Sequence, residues 1–203
     1  MATCIGVGLR QDISMDVLSK PTNISIEEYL EGEIVAEVRH EYLGGAVHAM
    51  AGGTVNHSAI SLNVGGVLFG ALRGNKCRVF NSDIKVRLEL SDHTRFYYPD
   101  VQVVCDSNSG TSHYQERPVV VVEVLSESTR RTDLGGKRDA YLAIPTLKVL
   151  LFVESEAATA LVFRRKPSGG FAEEFYSGID AVIDLPEIEA SLPLADAFDG
   201  IVF

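Results

Sequence analysis

Glu123 sits where an acid is costly. It lies near the end of the run Pro118-Val119-Val120-Val121-Val122-Glu123-Val124-Leu125, whose consecutive valines read as a strand buried on both faces. An ionised carboxylate left there without a partner costs several kcal/mol, so a metal ion, a lysine or an arginine is expected beside it. A second apolar strand, over residues 98–104, opens on another acid, Asp100, directly after Pro99. Downstream, Asp133, Lys137 and Tyr141 recur every four residues and share one face of an expected helix. Two acids on two strands with a lysine nearby are the minimum set for metal-assisted phosphodiester hydrolysis. Mg2+ takes oxygen ligands and keeps several waters; Asp100 and Glu123 could hold it, with the main-chain carbonyl of Val124 as a third ligand. Lys137 would orient the attacking water or stabilise charge on phosphorus, with Asp133 as its ion-pair partner. Each piece also has a plainer reading. Asp100 is then a turn acid, Glu123 a buried acid paired for structure, and Asp133–Lys137 a surface pair worth less than about 1 kcal/mol.

Local signals lay out the elements that must carry these groups. Ser25-Ile26-Glu27-Glu28 has the form of a capping box and predicts a short helix to about Glu33. Gly44-Gly45, between strands at 39–43 and 46–50, predicts a hairpin. Glu41 follows His40 in that hairpin and is a supporting candidate, although a surface acid is the simpler reading. Thr54 predicts the start of a longer helix with an apolar stripe of Ile60, Val64, Val67, Leu68, Ala71 and Leu72, ended by Gly74. His57, near its start, reads as a cap or a satisfied core residue.

Strands are expected at 77–80 and 84–90, the second alternating Ile84, Val86, Leu88 and Leu90 with Lys85, Arg87 and Glu89 on a wet face. Residues 106–117 read as a polar loop, and a helix is expected over 129–143, stopped by Pro145. Gly135-Gly136 weakens that helix by about 1 kcal/mol per glycine, which suggests close packing or a backbone approach there. Strands follow at 147–154, 160–165 and 171–176, then a short docking helix at 191–198. This order predicts an α/β (α+β) fold: a central mixed β-sheet flanked by helices, with an N-terminal β-hairpin. Residues 1–22 are expected to form a loose arm and residues 23–203 a single domain.

The 203 residues are 46% hydrophobic and 23% charged, an ordinary globular composition. A net charge of −10 argues against a protein whose whole surface coats nucleic acid, but not against a local basic patch. Lys85 and Arg87 form one basic stripe, near Arg78 and Arg95 in sequence; Arg130 and Arg131 form another, with Arg138. Both are candidates for phosphate contacts, and solvated faces explain them equally well. Cys4, Cys77 and Cys105 lack metal-ligand spacing and read as reduced thiols of a cytoplasmic protein. The longest apolar stretch, 59–72, is too short for a membrane span, so no membrane partner is expected. No zinc spacing and no nucleophile elbow occur.

Pro99-Asp100, then Glu123-Val124-Leu125-Ser126 with Ser128-Thr129, then Asp133, Lys137 and Tyr141 resemble the Uma-two family of putative restriction endonucleases, within the PD-(D/E)xK nuclease superfamily. The resemblance runs over about residues 23 to 200 and includes Glu41-Tyr42-Leu43, Met50-Ala51-Gly52-Gly53, the stretch 77–83 and Tyr97-Tyr98-Pro99-Asp100-Val101. It implies a restriction-endonuclease-like core, with Asp100 and Glu123 as ligands of Mg2+ or Mn2+ and a lysine as the third catalytic member. It also implies DNA as substrate and a homodimer, because cutting both strands takes two sites. The superfamily places its lysine two residues after the glutamate, where this chain has Leu125; Lys137 on the following helix takes that part. The rival reading is a catalytically inactive nuclease-fold protein acting as a dimeric nucleic-acid-binding or interaction module, which the net charge and the displaced lysine favour. A third, hydrolysis of a small phosphoester, would require a closed pocket.

Overall fold

The computed structural model describes residues 23–50, 52–127 and 130–203. The expected arm at 1–22, and Ala51, Ser128 and Thr129 of the motifs, lie outside the described residues.

Ser25 caps helix α1 (Ile26–Val35) by the expected box: its Oγ accepts from the Glu28 N–H, and the Glu28 carboxylate accepts from the Ser25 N–H. Strands β1 (His40–Leu43) and β2 (Ala46–Ala49) turn at Gly44 and Gly45, whose φ angles are +58° and +104°. At φ +104° Gly45 adopts a conformation that strains any L side chain, and a Cβ there would also displace the Asn23 side chain, whose Oδ1 would lie 1.9 Å away. Thr54 caps helix α2 (Val55–Ala71), its Oγ1 accepting from the His57 N–H.

Strands β3 (Arg78–Asn81), β4 (Lys85–Glu89), β5 (Thr94–Tyr97) and β6 (Val101–Val104) follow, then the two-residue β7 (Tyr114–Gln115) and β8 (Pro118–Leu125). The strand expected over 98–104 is therefore shorter. Pro99 has no N–H for a ladder and sits at the corner between β5, in one sheet, and β6, in another.

The helix expected over 129–143 is also corrected. It is a helical turn α3 (Arg130–Thr132), a π-helical turn at Asp133–Lys137 and α4 (Arg138–Leu142), with Gly135 outside helical conformation at φ −108°, ψ −112°. The chain continues through β9 (Val149–Glu154), β10 (Thr159–Arg165), β11 (Phe171–Ser177) and β12 (Val182–Leu185), and ends with β13 (Ala190–Pro193) and α5 (Leu194–Ala197). The tail is thus a strand and a helical turn rather than one docking helix, because β13 pairs with β12.

The main sheet has the order β11-β10-β9-β8-β6-β3 and is mixed, β8 and β9 running parallel and its other pairs antiparallel. The hairpin is no appendage: β1 pairs with β5 in a second sheet of order β2-β1-β5-β4-β7. The fold is α+β with a mixed sheet and flanking helices. Alternation along β8 decides what each face meets. Val120, Val122 and Val124 pack with Ile60, Val64 and Leu68 of α2. Val121 and Leu125 pack with Tyr97, Tyr141 and Phe152 on the opposite face, where Glu123 also points by the same alternation.

Cys77 and Cys105, at the ends of paired strands β3 and β6, form a disulfide. The reading of these cysteines as reduced thiols is corrected, because strand pairing brings together side chains 28 residues apart, and the thiol argument for a cytoplasmic protein lapses with it. Among the described residues no helix is long and apolar enough to cross a membrane.

Candidate active site

Strand register brings the two acids together. In the antiparallel pair β6–β8, Val101 lies opposite Val122. One residue further places Asp100 opposite Glu123, a relation that sets Cβ atoms about 5 Å apart on one face. Asp100 Oδ2 accepts from the Val124 N–H at 2.7 Å, which fixes the carboxylate at the corner Pro99 creates. His57, in the first turn of α2, brings Nε2 to 3.2 Å from the same oxygen. Gly53 lets the ring in: a Cβ there would lie 2.6 Å from His57 Nδ1. The hydrogen bond to Asp100 raises the pKa of His57, against an opposing effect of burial.

Glu123 is 3% exposed. Its Oε1 accepts from Tyr141 Oη at 2.7 Å and lies 3.3 Å from Lys137 Nζ. Lys137 Nζ lies closer still to Glu41 Oε1, at 2.8 Å, and 3.5 Å from Asp133 Oδ1. It also stands 5.4 Å from the centre of the Tyr97 ring. Burial pushes the Glu123 carboxyl up to about 8; Lys137 opposes that rise, and Asp100 and Asp133 add to it. For Lys137 burial acts to lower the pKa, but Glu123, Glu41 and Asp133 outweigh it and keep the ammonium charged.

Four carboxyl groups, those of Asp100, Glu123, Glu41 and Asp133, thus gather around Lys137 and His57. A cluster rich in carboxyl oxygens suits a hard divalent cation. Among the described residues no three His, Cys, Asp or Glu side chains converge as a finished metal cage. Two carboxylates and a carbonyl are nevertheless the donor set Mg2+ accepts, since it retains waters in its remaining positions. Asp100, Glu123, Val124, Asp133 and Lys137 line one cavity of 70 Å3, with room for an ion and a few waters but not for a nucleotide.

Asp100, Glu123, Val124, Asp133, Lys137, Tyr141 and Glu41 therefore come together. Glu41 is the nearest partner of Lys137 because β1 pairs with β5, setting Tyr42 opposite Phe96. His57 was missed; its only sequence signal was Thr54 three residues before it, which places the ring in the first helical turn.

The basic stripes fare differently. Lys85 is 5% exposed and donates to Tyr98 Oη at 3.1 Å, while that hydroxyl donates to Glu33 Oε1 at 2.9 Å. Burial lowers its pKa. The expectation that Lys85 lies on a wet face and meets phosphates is corrected, because α1 covers that side of β4 with Glu33. Arg87 is tied to Glu89 and Glu116, and Arg130 to Glu154. Arg131 is exposed and enters no ion pair among the described residues.

A family model described as Uma2, putative restriction endonuclease, matches residues 26–195. The chain is 33% identical over 181 residues to the uncharacterized protein slr1290 of Synechocystis sp. (strain PCC 6803), covering 89% of this chain and 94% of that protein. It is 28% identical over 143 residues to the uncharacterized protein sll1609 of the same organism, covering 69% and 80%. Its fold is similar to the crystal structure of a putative nuclease belonging to DUF820 from Anabaena variabilis, with a TM-score of 0.69 and 19% identity over 88% of this chain and 99% of that one.

Proposed function

The chain belongs to the Uma2 family of putative restriction endonucleases, and from that premise we propose that it is a metal-dependent endonuclease that hydrolyses phosphodiester bonds in DNA. The observation that carries the reading is Glu123. It is a carboxylate buried inside a valine strand, held by Lys137 and Tyr141, and lining the same cavity as Asp100. Four acids gather around one lysine and one histidine there, and a bound divalent cation would favour the ionised form of Glu123, which burial disfavours.

Asp100, Glu123 and the Val124 carbonyl would hold Mg2+ or Mn2+, which when bound polarises the scissile phosphate and lowers the pKa of a coordinated water. Asp100 is oriented by the Val124 N–H. Tyr141 donates to Glu123 Oε1 and so fixes the carboxylate plane. Lys137 supplies a permanent ammonium at the reacting phosphate, where it orients the attacking water or stabilises charge on phosphorus. Glu41 and Asp133 hold that ammonium in place from two sides. A lysine on the crossover segment serves as well as one on the strand, because the chemistry requires a charge at a point in space. Cleavage of both DNA strands by one site per chain calls for two copies, so a homodimer belongs to this proposal.

The test is a Mn2+ titration of wild type, Asp100→Ala and Glu123→Ala by calorimetry, followed by incubation with plasmid DNA. Metal binding and metal-dependent nicking by wild type, both lost in the two variants while circular dichroism is preserved, is the expected result. Undiminished nicking by both variants would sink the proposal. No metal bound by wild type would favour a non-catalytic nucleic-acid-binding module of the same fold.

A further inference from the structure

A nucleotide cannot enter the 70 Å3 cavity, so substrate must reach Asp100 from outside it. Asp100 also lines an open groove of 520 Å3 between α2 and β3, the edge strand of the main sheet. Gly65 and Gly66 leave space there: a Cβ on Gly65 would meet only Val101, at 3.6 Å, and one on Gly66 would meet nothing within 4 Å. Phe69 of α2 is 60% exposed beside the groove, and half-buried Phe80 of β3 also lines it. A second hollow of 500 Å3 shares Phe69, Val79 and Phe80 with the first and extends it to Arg73 and Arg78. Arg73, Lys76 and Arg78 are exposed and enter no ion pair among the described residues. Arg39, Arg87, Arg117, Arg130, Arg138 and Arg164 all do, whereas Arg131, Lys148 and Lys166 are also exposed without one but line neither hollow. In a chain of net charge −10, two unpaired arginines, Arg73 and Arg78, at one end of an apolar groove mark a place for an anion.

We infer that this groove seats one locally unpaired strand of DNA and leads it to Asp100, each copy of the dimer taking one strand, an inference that rests on the nuclease reading above. Phosphates face Arg73 and Arg78, and unpaired bases lie against Phe69 and Phe80. A duplex presents phosphates and sugars to a protein and keeps its base faces stacked inside, so exposed rings add nothing to duplex binding. A single strand offers a π-face on every base, and an aromatic wall beside a cationic one is the arrangement that binds it without regard to sequence.

The experiment is fluorescence anisotropy without added metal, using a labelled oligothymidylate of about twelve nucleotides and a blunt duplex of equal length. Wild type is expected to bind the single strand more tightly than the duplex. Phe69→Ala, at an exposed position that leaves the core intact, should weaken single-strand binding about tenfold. Arg73→Gln with Arg78→Gln should reduce the dependence of log affinity on log salt by about 1.4. Duplex binding at least as tight, an unchanged Phe69→Ala affinity, or no single-strand binding would each overturn the inference. Plasmid nicking read in parallel separates the two ideas. Phe69-dependent binding without metal-dependent nicking removes the nuclease and keeps the groove. Nicking at the wild-type rate by Phe69→Ala, with unchanged binding, removes the groove and keeps the nuclease.

Discussion

At the scale of residues, the site is decided by where charge is placed rather than by which charges are present. Glu123 is an ordinary acid made unusual by its strand. A carboxyl whose folded pKa of about 8 lies above its usual 4.5 binds its proton more tightly in the fold. Its contribution to stability is therefore fully present below the unfolded value and lost as the pH rises through about 8. Lys137, held above its ordinary value, stays charged throughout that window. Glu123→Gln cannot ionise and escapes the loss. In metal-free protein, urea unfolding should show the variant and wild type converging near about pH 5 and the variant more stable at about pH 9. Equal stability at the higher pH would mean that Lys137 fully compensates Glu123. Both acids were legible because an acid at the edge of a valine run, or just after Pro99, breaks a local pattern. Lys137 was legible from its spacing to Asp133 and Tyr141. His57 and Glu41 break no such pattern, and their partners lie far away in sequence.

At the scale of elements, caps and turns were readable because their hydrogen bonds close within a few residues: the Ser25–Glu28 box, the Thr54 cap and the glycine turn of the hairpin. In the proposed mechanism the hairpin matters because it carries Glu41 to Lys137. Gly45 is the position on which that delivery depends, with φ of +104° and Asn23 against its missing side chain. Gly45→Ala should cost about 1–3 kcal/mol, read as a lower urea midpoint, and should reduce nicking by loosening Lys137. A full-stability Gly45→Ala would show that the turn tolerates another conformation. The segment after β8 was harder to read. The glycine pair signalled a weak helix, and the helix is broken at Gly135, but the close packing or backbone approach expected there is corrected: a Cβ on Gly135 would meet nothing within 4 Å and one on Gly136 only Arg95 Nη1, at 3.9 Å. The π-helical turn buries both Asp133 and Lys137, which no local count of residues reveals.

At the scale of the whole molecule, the site lies where two sheets and a crossover meet. Glu123 comes from the main sheet, Asp100 from the corner between sheets, Glu41 from the second sheet and Lys137 from the segment joining the parallel strands. The disulfide ties the edge of the main sheet to its neighbour and closes a loop with a separation of 28 residues. Such a loop is worth about 3–4 kcal/mol in the chain-entropy description. Dithiothreitol, or Cys77→Ser with Cys105→Ser, should therefore lower Tm by several degrees; an unchanged Tm would mean that strand pairing alone sets the stability of that edge.

The sequence by itself determined the fold class, most element positions, the acids and the lysine, because hydrophobic period, capping and the cost of a buried charge are local properties of a chain. Only the tertiary structure decided that Glu41 is the nearest partner of Lys137, that His57 reaches Asp100, that Lys85 is buried and that Cys77 meets Cys105. Each of these depends on which strands pair and which helix covers them. That choice is made by burying whole apolar faces at once, and it leaves no mark on the few residues it brings together.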